Sequence, residues 1–598
     1  MTARPGGAAL SLERGGGRWA VAGASYRLSG TDDGPTARLA DADGRPWADI
    51  RLTASVDPVA GVDETHDVTG PRERPIDGAG VGLTWLLVSS CWATKRLIVE
   101  ARGETLTIRV EVDGRGDLGE VTLLGGRVVR PAVTGRLWSG AWFESVVSAA
   151  PGDPGRIVQP AAESSSIGVS SGSEPGRGRW FFTPAPFVVA ASRAAVGDAT
   201  LIPDGPWLAF ALDAARGDAR FTEVAYRAQD RGFAFVLDYE GHTRVDGGWS
   251  SPPLVIHEAS DPFAAIAAQR ERLADTADSP AAAAWWREPI FCGWGAQCAA
   301  VAAAGQPLSA APARSTQADY DRFLAALEAR GIIPGTIAID DKWQRTYGTN
   351  EPETSKWPDL RGWIADRHRR GQRVLLWYKA WDLEGLPPEA CIRTTGGTPV
   401  ALDPSSPAGE MAIRRSIRSM LAPDAIDADG IKIDFTARTP SGHGLVHHGP
   451  DWGVDLLARL LEVVADEARS VRPDPLLVAQ TPNPIFAPSV DMIRLNDLLR
   501  LDDPEPAVDT VPQMRYRAAV ARAALPGHLI DTDDWCAPDL AAWRAYAAIK
   551  AELGIPALYY VDRLDRTGET LRDDDFELIR RTWAEHRKRF GLPQRGAV

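Results

Sequence analysis

The run Gly430-Ile431-Lys432-Ile433-Asp434-Phe435 sets a lysine and an aspartate at alternate positions in an apolar stretch. By period 2, Ile431, Ile433 and Phe435 share one strand face, and Lys432 and Asp434 the other. Charged residues seldom line a buried face unless they are paired or at work. An aspartate at the C-terminal end of a barrel strand stands where a catalytic nucleophile would act. A second carboxylate follows in Arg494-Leu495-Asn496-Asp497. Two carboxylates flanking a glycosidic bond, with aromatic walls around them, are the minimal machinery of glycoside cleavage. The nucleophile must stay ionised, and a neighbouring Lys432 would favour that. The acid must hold its proton near neutral pH, which burial or a nearby carboxylate promotes. Arg494 in contact with Asp497 would lower its pKa, so Arg494 is expected to face the substrate or another acid.

Further acidic and aromatic groups recur at strand ends. They are Cys292-Gly293-Trp294, Asp340-Asp341-Lys342-Trp343, Trp377-Tyr378-Lys379, and Asp531-Thr532-Asp533-Asp534-Trp535. Each has a plainer reading. Asp434 could cap a loop or pair with Lys432, and Asp340-Asp341 could form a turn or helix cap. Any one of the tryptophans could be core. Asp502, Asp503, Asp533 and Asp534 compete with Asp497 for the acid's role. His443, His447 and His448 lie in a Gly/Pro-bounded loop with no acidic partner at ligand spacing, so a rim loop is expected and no metal.

These ends need elements to carry them. Eight strands are predicted: Ile290 to Trp294, Thr336 to Asp340, Arg373 to Tyr378, Gly430 to Phe435, Leu476 to Gln480, Met492 to Leu495, His528 to Thr532, and Ala557 to Val561. Helical periodicity falls between them at Ala318 to Arg330, Leu360 to Arg370, Met411 to Met420, Val454 to Arg469, Met514 to Ala524 and Leu540 to Leu553, with a last helix at Asp575 to Arg589. Eight β/α units over about 250 to 300 residues are the size of a TIM barrel. No glycine-rich phosphate turn supports a nucleotide-binding doubly wound sheet. Before about residue 260, short alternating runs such as Leu106 to Val112, Trp180 to Phe182 and Gly232 to Leu237 predict an antiparallel β-sandwich. Asp261-Pro262 opens a helix, and Asp278-Ser279-Pro280 with the alanines after it reads as linker or helix. The expected fold is an N-terminal sandwich (1–260), a helical linker (261–287) and a (β/α)8 barrel (288–598), with no sizeable C-terminal β domain.

The 598 residues carry a net charge of −14, which argues against nucleic acid or anionic membrane as partners. Five scattered cysteines make no disulfide framework or zinc site. No signal-peptide core or membrane-length apolar run is present, so a cytoplasmic protein is expected. The 21 tryptophans suit a sugar ligand as well as core packing. The sequence leaves oligomeric state open, a homo-oligomer included.

Asp340-Asp341-Lys342-Trp343, Gly430-Ile431-Lys432-Ile433-Asp434 and Arg494-Leu495-Asn496-Asp497 together resemble glycoside hydrolase family 36, the α-galactosidase clan with its raffinose-synthase-like branch. Phe291-Cys292-Gly293-Trp294 matches the first-strand motif of that branch loosely. Lys432-Ile433-Asp434 matches its Lys-x-Asp strand, and Arg494 to Asp497 its Arg-x-Ser-Asp strand with Asn496 for Ser. Thr532-Asp533-Asp534-Trp535 resembles a later Pro-Asp-Trp-Asp segment. Lys342 stands where glycine is usual in α-galactosidases. The resemblance implies a retaining hydrolase of α-galactosides or related α-glycosides, with Asp434 as nucleophile, Asp497 as acid/base and no cofactor. It implies sugar contacts from Asp340, Asp341, Lys432, Arg494, Asp533 and Asp534, and a pocket lined by Trp294, Trp343 and Trp377. Carboxyl groups about 5 to 5.5 Å apart would go with retention. A transglycosylase using the same intermediate and a non-catalytic carbohydrate-binding protein are the competing readings.

Overall fold

The computed structural model describes residues 10–32, 34–129, 136–137, 145–148, 165–169, 181–193, 205–229, 232–273, 282–499 and 509–595. Trp180, Asp278 to Pro280, Asp502 and Asp503 lie outside them. Up to Ala259 the described residues form strands in two sheets. One has six strands, and the other is a thirteen-stranded sheet threaded by two 19-residue strands, Thr105–Leu123 and Gly232–Ser250. The alternating burial of Thr105–Leu123 shows why the sequence folds so: Leu106, Ile108, Val110 and Val112 point into the core, and the residues between them face outward.

A helix follows at Pro262–Leu273, opened as the sequence predicts. The Asp261 carboxylate accepts from the amides of Phe263 at 2.9 Å and Ala264 at 2.8 Å.

The eight predicted strands are all present. They are β1 (Ile290–Cys292), β2 (Thr336–Ile339), β3 (Arg373–Lys379), β4 (Gly430–Asp434), β5 (Leu476–Ala479), β6 (Met492–Arg494), β7 (Leu529–Asp531) and β8 (Ala557–Leu558). Each pairs in parallel with its sequence neighbour from β1 to β7, and β8 pairs with β1. The seam between β7 and β8 is spanned by a parallel bridge between Asp531 and Ile555. This is a nearly closed eight-stranded barrel, and parallel strands buried on both faces account for the near-continuous apolar runs. The alanine-rich stretch near Ala299 is a helix, Trp294–Ala303.

Two features bear on the mouth. Gly430 opens β4 where a Cβ would lie 2.2 Å from the carbonyl of Leu476, so only glycine lets β4 and β5 approach here. A small antiparallel sheet of Cys391–Thr394, Pro399–Leu402 and Leu445–Val446 is formed by the loops after β3 and β4. The apolar residues of sandwich and barrel form one continuous core.

Candidate functional site at the barrel mouth

Arg494, at the end of β6, is the hub. Its side chain is only 4% exposed. Nη2 donates to Asp434 Oδ1 at 2.9 Å and to Gln480 Oε1 at 2.7 Å. Nη1 donates to Asp533 Oδ2 at 2.8 Å and approaches Asp497 Oδ1 at 3.4 Å. Arg494 does face other acids, Asp434 and Asp533, but contrary to expectation it also reaches Asp497. One guanidinium therefore touches both candidate catalytic carboxylates, which keep 22% and 31% of their side-chain surface exposed.

The two carboxylates are driven apart in acidity. Burial pushes Asp434 up, but Arg494, Lys432, the amide of Phe435 at 2.8 Å and the indole of Trp377 at 3.2 Å outweigh it, and its pKa falls below the usual value. Burial also raises Asp497, Arg494 opposes this more weakly, and the negative charges of Asp533 and Asp434 add to it. Its pKa reaches about 7. One group is thus held ionised at neutral pH, and the other still carries its proton on about half of the molecules there.

Lys432 is placed differently from expectation. Its ammonium donates to Asp340 Oδ2 at 2.7 Å and to Cys292 Sγ at 3.4 Å, so its direct partner is Asp340 and its effect on Asp434 is through space. Burial disfavours its charge, but Asp340 more than compensates and its pKa is raised. Asp340 is buried, whereas Asp341 is partly exposed and accepts from the Tyr347 hydroxyl at 2.7 Å. Burial lifts Asp341 to about 6, against that hydrogen bond.

Other expectations are corrected. Asp534 is fully buried, with its oxygens engaged by Lys550 at 2.7 Å, Trp543 Nε1 at 3.0 Å and the Tyr559 amide at 2.8 Å, an internal ion pair with no surface for a sugar. Asp533 is also fully buried, and one of its oxygens receives the amides of Asp534 and Trp535. Trp343 is core: its indole donates to the carbonyl of Trp377 at 2.9 Å. Trp377 is buried too and lines no pocket surface, reaching the site only by its indole bond to Asp434, whereas Trp294 is half-buried, edge-on to Trp535. His447 lies tilted against His242 and Trp452, which stack on each other, in a loop held against the sandwich.

The sequence reading missed several groups. Tyr347 lies edge-on to Trp377 in the irregular segment after β2. Arg517, from the helix Thr510–Ala524, donates to the carbonyls of Leu495, Asn496 and Asp497 and so clamps the loop that carries Asp497. Gln480, one residue past β5, was visible as a polar strand end. The sandwich also contributes: Asn496 Nδ2 donates to the carbonyl of Phe181, and the amide of Thr183 donates to the carbonyl of Gln480. Trp381, Phe435, Asn496 and Asp533, all within two residues of strand ends at this mouth, have φ of +70°, +61°, +68° and +45°. Non-glycine residues seldom adopt this region, and such strain gathers at functional sites.

No family model matches the sequence, and no curated protein matches it. Solved structures do. A family 31 sulfoquinovosidase from E. rectale, in complex with an aza-sugar inhibitor, aligns with a TM-score of 0.59 at 10% identity over 96% of this chain and 82% of that one. A family 36 α-galactosidase from Geobacillus stearothermophilus aligns at 0.51 and 13% identity over 98% and 87%. The cycloalternan-degrading enzyme from Trueperella pyogenes, in complex with a covalent intermediate, aligns at 0.51 and 15% identity over 96% and 72%. This chain therefore has a fold shared with enzymes that include α-galactosidases of glycoside hydrolase family 36, the family its strand-end motifs resemble.

Proposed function

We propose that this protein is a retaining glycoside hydrolase that cleaves α-galactosides or related α-glycosides. The observation that carries the proposal is the Asp434–Arg494–Asp497 arrangement, in which one guanidinium touches two partly exposed carboxylates whose acidities are pushed in opposite directions. In this reading the ionised Asp434 attacks the anomeric carbon, while Asp497 gives its proton to the glycosidic oxygen as that bond breaks. A glycosyl ester on Asp434 results. Asp497, now a carboxylate, takes a proton from water as the water attacks the anomeric carbon and frees Asp434. Asp341 would hold the sugar in front of Asp434, while the buried Lys432 and Trp377 position Asp340 and Asp434 behind it.

The test is a screen of nitrophenyl α- and β-glycosides, with the product anomer followed by NMR. Asp434→Ala should cut turnover by a factor on the order of 10⁴ or more, with partial recovery in azide, because a small anion can enter the vacated space. Wild-type activity in that variant would remove Asp434 from the mechanism.

A further inference from the structure

A second cavity of about 500 Å³ opens beside the mouth, walled by Lys379, Trp381, Asp382, Val400, Arg438 and Leu445 among others. It adjoins the Asp434 strand directly. Lys379 is the register partner of Asp434, and the amide of Ala380, another wall residue, donates to the Asp434 carbonyl at 3.0 Å. Phe435, which follows Asp434, lies beneath both cations of the wall: Arg438 is 4.6 Å and Lys379 5.3 Å from its ring centre.

The polar groups of this wall are unevenly satisfied. Both oxygens of Asp382 are engaged, by the Glu384 amide at 2.9 Å and by Lys379 at 2.7 Å. Ser441 already donates to Glu240 at 2.6 Å. Arg438 is exposed and makes no ion pair or side-chain hydrogen bond among the described residues. The Trp381 indole N–H is buried and has no acceptor among them. What remains unengaged are donors, one a full cation, in a chain whose net charge is −14. A guanidinium lying on a ring keeps its planar fork of N–H groups for an oxyanion.

We infer that this cavity is the subsite for the leaving group, and that Arg438 selects an aglycone bearing a carboxylate, sulfate or phosphate. The inference rests on the glycosidase reading for its place in the reaction, but the anion site can be tested apart from turnover. 4-Hydroxybenzoate, 4-hydroxyphenyl phosphate and 4-hydroxybenzamide, free leaving groups with no glycone, are titrated calorimetrically into the wild-type protein and Arg438→Gln, at low and high salt. The two anionic leaving groups should bind wild type about tenfold more tightly than the neutral amide. That advantage should shrink with salt and vanish in Arg438→Gln. The carboxylate and phosphate arms report which oxyanion is preferred. In parallel, carboxyphenyl and carbamoylphenyl α-galactosides are compared as substrates. Wild type should favour the carboxylate through KM rather than kcat, and Arg438→Gln should bring the ratio close to one. Equal binding of charged and neutral leaving groups to wild type, or a preference that survives Arg438→Gln, overturns the inference. Turnover without any charge preference sinks the inference and leaves the glycosidase reading standing. A charge preference in binding with no turnover of any glycoside does the reverse.

Discussion

Arg494 couples the two carboxylates it touches, and the proposed cycle removes one partner's charge from that coupling. In the free enzyme Asp434 is ionised and its charge helps hold the proton on Asp497. Once Asp434 is esterified that charge is gone, and Arg494 faces Asp497 and Asp533 with one less carboxylate to satisfy. The acidity of Asp497 should then rise as its duty passes from acid to base. This predicts different pH profiles for the two kinetic parameters. The kcat/KM of the free enzyme should fall about tenfold per pH unit above pH 7, as Asp497, raised to about 7, loses its proton. On the acid side it should hold until pH drops through the depressed pKa of Asp434. With a substrate whose deglycosylation limits the rate, kcat should persist to higher pH than kcat/KM. Coincident alkaline limbs in both parameters, or an alkaline limb that survives in Asp497→Ala, would contradict this pairing.

At the scale of elements, the strand β4 presents its charges only because Gly430 admits it beside β5. Gly430→Ala would drive a Cβ onto the Leu476 carbonyl, so β4 must shift and carry Lys432 and Asp434 with it. A loss of about 1–3 kcal/mol of stability is expected, read from the denaturant midpoint, together with reduced kcat. Unchanged melting would show that the two strands can part at no cost. Much of this scale was legible beforehand. All eight strands lie within one or two residues of their expected starts, because apolar runs bounded by turn residues leave little choice when both faces are buried. The acidic ends of β2, β4, β6 and β7 could be read for the same reason. What could not be read were contacts between groups far apart in sequence. The grip of Arg517 on the Asp497 loop, the partnership of Lys432 with Asp340, and the withdrawal of Asp534 to Lys550 are set by the closure of the barrel. Local periodicity carries no trace of them.

At the scale of the whole molecule, the sandwich reaches into the site's framework as well as covering the barrel. Glu240, within its strand Gly232–Ser250, accepts from Ser441, the amide of Gly442 and the indole of Trp452, all in the loop that follows the nucleophile strand. The helix Gly453–Val471 then starts with no side-chain cap. Its first amides are satisfied from the other domain instead: Val454 donates to the carbonyl of Phe221 and Asp455 to that of Ala219, each at 3.0 Å. Removing the sandwich would leave these amides without partners. In a barrel fragment beginning at residue 282, the amides of 454 and 455 should exchange with solvent at least about tenfold faster than in the whole protein, as read by hydrogen–deuterium exchange. Equal protection would show that the helix supplies its own start. The borrowed cap also bears on the order of events during synthesis. The sandwich precedes the barrel in the chain, so a sandwich that folded as it emerged would hold these carbonyls ready to nucleate the helix after the nucleophile strand.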